Sequence, residues 1–210
     1  MDYKNIGIKL LESVKEYLGM NNNEILKLIK NNIKEEMNSM GFSIRGNSFS
    51  RLTDDGIIQE MEFQRGSSGE EFTININIVP ENKDIPYINR SLRLCQLIPE
   101  APQWWNYSEK SVEEVNDIIK NKLIPIFINL STLKGIFEFI TQPDILQDYE
   151  KLITLRKNLS KNPSLYMNQI NSFKMKSGLA LLDRYGSNEA AQICEKLNKK
   201  DLAQKIQHID

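Results

Sequence analysis

Histidine is almost absent from this chain: the single one, His208, lies close to the C-terminal end. General-base catalysis by histidine needs a positioned ring with an orienting partner, which a near-terminal residue rarely has. Ser-His-Asp and Cys-His nucleophilic sites are disfavoured for the same reason. Cysteine is scarce too. Cys95 and Cys194 lie far apart with no CxxC spacing, and with one histidine they cannot fill a tetrahedral zinc shell. Both fall in apolar-patterned segments, so free buried thiols in a reducing compartment are expected. Long hydrophobic runs are missing: no stretch reaches the ~18 apolar residues of a membrane helix. Charges interrupt the opening MDYKNIGIKLLESVKEYLG, so no secretory signal is expected and a cytoplasmic location is. Glycine is sparse as well. The Gly66-Ser67-Ser68-Gly69 stretch lacks the lysine and the following helix of a phosphate-binding loop. These absences leave no catalytic residue, no metal and no cofactor to expect.

What is present is enough for a sizeable core. A chain of 210 residues buries roughly 70% of its unfolded surface and folds without disulfides or metals. The formal net charge of -1 hides an asymmetry. Residues 1–150 carry 16 Lys+Arg and 23 Asp+Glu, or -7, while residues 151–210 carry 11 and 5, or +6. A basic end of this kind is either a solvated helical surface or a face that steers an acidic partner.

The most regular stretch runs from Gly41 to Val79. Turn signals at Asp54-Asp55-Gly56 and Gly66-Ser67-Ser68-Gly69 divide it into three strand candidates. In the third, Phe72, Ile74, Ile76 and Ile78 alternate with Thr73, Asn75, Asn77 and Val79, giving one apolar face and one mostly polar. In the second, Met61 and Phe63 alternate with Glu60, Glu62 and Gln64. Ser91–Leu97 reads as a fourth strand, and the proline-punctuated loop after it holds both tryptophans, Trp104 and Trp105. Helical periodicity appears at residues 4–18 and 24–40. It returns after Ser111-x-x-Glu114, whose spacing is that of a capping box, with Pro125 set to break or kink that helix. Beyond residue 130 only helices are predicted: 132–140, one from Pro143, one from Pro163 to about Tyr185, and a final pair at 188–197 and 201–207.

The ordered set Gly41-Phe42, Gly46, Phe49-x-Arg51, Phe63-Gln64, Phe72-x-Ile74-Asn75 and a tryptophan at 104 or 105 resembles the bacterial family DUF4304, a domain of unknown function. The resemblance covers about residues 24–130. It supports the fold reading and implies no reaction. The expected architecture is therefore α+β: an antiparallel sheet of about four strands with helices on one face. An α+β domain at 1–130 is followed by a helical extension at 131–210.

Candidate site residues follow from the polar faces. Glu60, Glu62 and Gln64 share a strand face, Asn75 and Asn77 share the facing one, and together they line a shallow groove or a plain solvent-facing sheet. Two or three converging carboxylates there would make a metal or acid–base site, the alternative reading of a metal-dependent enzyme. Arg45, Arg51 and Arg65 lie around the sheet near Phe49, an arrangement that can stack RNA bases. Glu60 and Glu62 would repel phosphates, so a nucleic-acid partner is disfavoured and Arg51 is counted with the protein-binding residues. Trp104 and Trp105, adjacent in an extended loop, point in opposite directions, so that one covers the core and the other faces outward. The expected function is a non-catalytic cytoplasmic protein that binds another protein, such as a toxin-immunity or defence-associated binder.

Overall fold

The computed structural model describes residues 21–81, 91–159 and 176–209. The expected helix at 4–18 and the start of the helix expected at Pro163 lie outside these residues. The first described helix, α1 (Asn22–Ser39), begins at a capping box: Asn21 accepts from the backbone of Asn23 and Glu24, and the Glu24 carboxylate accepts from the Asn21 backbone at 2.7 Å. Its apolar stripe, Ile25, Leu26, Ile29, Ile33 and Met37, is buried.

Four strands follow where three were expected: β1 (Ser43–Arg45), β2 (Ser48–Leu52), β3 (Ile57–Arg65) and β4 (Glu71–Pro80). The extra division falls at Gly46-Asn47. Gly46 takes a φ of +60°, which a side chain would resist, and the chain reverses so that Arg45 pairs with Ser48. All four strands form an antiparallel meander, and two short strands, β5 (Leu92–Arg93) and β6 (Trp105–Asn106), pair with β4 to complete a six-stranded sheet. The fold is α+β, with more strands than the four expected.

The strand expected at Ser91–Leu97 survives only as β5. The Arg93 backbone N–H donates to Gln96 Oε1 at 2.8 Å, and the chain turns at once into α2 (Leu94–Leu97). The next helix starts earlier than its Ser-x-x-Glu spacing suggested. Ser108, not Ser111, is the N-cap of α3 (Glu109–Ile118) and accepts from the Ser111 N–H. Pro125 does not end the helical path. A π-helical turn at Ile119–Leu123 carries α3 into α4 (Ile124–Asn129), and Ile124 donates to Ile119 across the wider turn. Pro125 then sits in the first turn of α4, where its missing N–H costs little.

The remaining described helices are α5 (Leu133–Ile140), α6 (Pro143–Leu159), α7 (Ser177–Lys196) and α8 (Lys200–Gln207). Gly186 breaks α7 with a φ of +74°, the point where one helix was expected to give way to the next. Buried side chains of the sheet, of α1 and of the later helices join one hydrophobic cluster. Tyr185 on α7 donates to the Ile78 carbonyl at 2.7 Å, so the helical portion ties onto the edge of β4. Cys95 is half-buried and Cys194 buried, both as free thiols. Burial pushes the Cys194 thiol up to about 11. Among the described residues no single helix is long and apolar enough to cross a membrane.

Candidate functional site

Register assigns each strand residue to one of two faces. On the first, Phe49, Met61, Ile76 and Leu92 lie in one row across β2, β3, β4 and β5, and all four are buried. Arg51, Gln59 and Ile78 form the neighbouring row on this same face. Gln59 is fully buried; its amide donates to the carbonyls of Phe127 at 2.8 Å and Leu130 at 2.9 Å. Arg51 donates to Gln59 Oε1 at 2.9 Å and to the Met40 carbonyl at 2.5 Å, and its guanidinium lies 4.7 Å from the Phe42 ring centroid. Burial pulls the Arg51 pKa down from the usual arginine value. The pair satisfies carbonyls at the C-terminal ends of α1 and α4, which have no partner within their own helices. Arg51 therefore acts as a clasp between helices and sheet and stands apart from the other expected binding residues.

The opposite face is polar in two rows and apolar in a third, Leu52, Ile58 and Val79. One row reads Arg45, Ser48, Glu62, Asn75, Arg93 across five strands; the next reads Ser43, Ser50, Glu60, Asn77 across four. Both rows mix charge and hydrogen-bonding groups. The structure thus brings together five expected residues: Glu60, Glu62, Gln64, Asn75 and Asn77. Asn75 donates to Gln64 Oε1 at 2.7 Å, and Asn77 donates to Glu60 Oε2 at 2.9 Å. The two asparagines are buried, whereas Glu62 and Gln64 are exposed. A wholly solvent-facing sheet was one expectation, but β4 is buried on both faces, and the open part of the polar face lies on β1 to β3.

The tryptophans diverge. Trp105 pairs with Phe72 on the apolar face, is 2% exposed and stacks on that ring at 5.8 Å. Trp104 is half-buried and lies beneath the Arg93 guanidinium, 4.5 Å from its ring centroid. Arg93 stands in the Glu62–Asn75 row, so the stacked pair closes the β5 end of the polar face. Sequence reasoning passed over Arg93. Its signal was the parity of Leu92-Arg93-Leu94, which sets an arginine against two buried leucines. The base-stacking arrangement weighed for Arg45, Arg51, Arg65 and Phe49 is not assembled: Phe49 is fully buried and Arg51 is on the apolar face. No group of three or more His, Cys, Asp or Glu among the described residues is placed to hold a metal ion.

The fold and this face define a small antiparallel meander backed by a capped helix, with one structural face and one polar face. Residues 33–129 match the family model described as Domain of unknown function (DUF4304). No curated protein and no solved structure matches the chain.

Proposed function

We propose that this chain is a non-catalytic protein-binding protein of the bacterial cytoplasm, and that the polar sheet face is its contact surface. The observation that carries this reading is the fixed asparagine pair. Asn75 and Asn77, themselves buried, hold Gln64 and Glu60 by side-chain hydrogen bonds. Polar groups held in place before binding lose less rotamer freedom on association, which is how a polar surface gains affinity. The Arg93–Trp104 stack at the margin supplies the residue types enriched at interface hot spots. An inhibitor or immunity partner of a toxin, or a component of a defence system, is the class of binder this surface suits. That assignment rests on analogy of fold and charge.

The test places a photo-crosslinking residue at position 64 of the full chain, expressed in its source cells, with position 138 on the exposed side of α5 as control. A discrete protein adduct at 64 that is absent at 138 is expected. No adduct at 64, or the same adducts at both positions, would overturn the proposal.

A further inference from the structure

The molecule carries a second polar surface, on the flank of α1 that borders the β1–β2 turn. Lys27, Lys30 and Lys34 fall within an arc of about 60° at about 100° per residue, and they span about 10 Å along the helix axis. Asn23 and Asn31 lie on the same exposed side. The helix's own carboxylates do not neutralise this arc. Glu24 is engaged at the N-cap, Glu36 pairs with Lys120 at 2.7 Å, and Glu35 lies about 80° from Lys27 around the axis. Lys30 is held by neutral acceptors, the Gly46 carbonyl and Asn47 Oδ1, each at 3.1 Å. Its charge is thus fixed in position without being compensated. The Asn47 carbonyl accepts from Phe63, two residues before Arg65 on the face that α1 covers, so Arg65 extends the arc from the sheet. Lys27, Lys34 and Arg65 are exposed and have no ion-pair partner among the described residues.

We infer that Lys27, Lys30, Lys34 and Arg65 form a docking ridge for an acidic segment of a partner protein. The ridge is separate from the polar sheet face and goes beyond the role proposed for that face. Uncompensated like charges held side by side are unfavourable alone and are relieved by a ligand bearing carboxylates. Consistent with this, burial and then the Arg65 charge both lower the Lys30 pKa from the usual lysine value. An acidic protein segment fits better than nucleic acid. The lysines on α1 are interleaved with amide side chains, Asn23 and Asn31, and a short carboxylate-bearing segment matches their span of about 10 Å. The surrounding 1–150 portion is also net acidic, which opposes a long polyanion.

The experiment uses the full chain and a fluorescein-labelled oligoglutamate peptide, with a single-stranded oligonucleotide of equal charge as comparison. Anisotropy is read at low and physiological salt. Wild type is expected to bind the peptide more tightly than the oligonucleotide, and more weakly as salt rises. K27E/K34E and R65E are each expected to weaken peptide binding on the order of tenfold, and K199E/K200E to leave it unchanged. The neutral K27Q/K34Q variant, checked by circular dichroism, guards against a folding defect and should show a smaller loss. Equal binding by K27E/K34E and wild type, or no binding by wild type, would overturn the inference. So would tighter binding of the oligonucleotide. Sedimentation velocity showing a wild-type dimer that K27E/K34E abolishes would assign the ridge to a second copy and overturn it too.

Discussion

The two faces of the sheet both carry hydrogen-bonding side chains, and they direct them at different partners. On the face beneath α1, Arg51 and Gln59 donate to backbone carbonyls at the ends of two helices. On the other, Asn75 and Asn77 donate to side chains that reach the surface. A polar group bonded to backbone from distant elements fixes how those elements meet. A polar group bonded to a neighbouring side chain fixes only where that side chain points. The first kind belongs to stability, and the second is available for recognition.

Substitutions can sharpen or break this division. The largest effect should come from the apolar row itself. Ile76 is 1% exposed at the centre of β4, and Ile76→Ala should cost about 2–5 kcal/mol in denaturant unfolding. A cost under about 0.5 kcal/mol would contradict the register, since surface positions behave that way. Next is Gln59→Ala. It strips the donor from the Leu130 carbonyl, leaves the Phe127 carbonyl only the longer 3.4 Å bond from Arg51, and removes an acceptor from Arg51, with an expected cost of about 2–3 kcal/mol. The smallest is Glu62→Ala on the polar face, an exposed position that should stay within about 0.5 kcal/mol of wild type. If Glu62→Ala proved as destabilising as Gln59→Ala, the two faces would not differ in kind.

Much of this division was legible in the sequence, because strand parity assigns faces. Phe72, Ile74, Ile76 and Ile78 mark the apolar face of β4, and Glu60, Glu62, Asn75 and Asn77 mark the polar one. The same parity, carried two residues further back, puts Gln59 in phase with Met61 and Phe63, and Arg51 in phase with Phe49. That phase was the available sign that Arg51 faces inward. What parity could not supply was the identity of the carbonyls they meet: Met40, 11 residues before Arg51, and those of α4 and its end, 68 to 76 residues further along. Burial of Asn75 and Asn77 was also out of reach, since alternation alone does not show that a strand is covered on both sides.

The expected split between an acidic front and a basic end is less sharp in space than in sequence. Lys176 pairs with Asp144 and Asp148, at 2.8 and 3.1 Å, and Arg156 pairs with Asp183. Part of the basic end is therefore neutralised by acids of the front portion or of its own helices. The unpaired cations of α1 sit within the acidic portion, where a count by halves hides them.

The most direct test of the polar face as a contact surface uses the protein captured through position 64. Its Kd for wild type is compared with that for Glu62→Lys, a variant that reverses an exposed charge beside the asparagine pair and should leave stability almost unchanged. The account predicts association at least about tenfold weaker for Glu62→Lys, with the unfolding midpoint held. An unchanged Kd would contradict it.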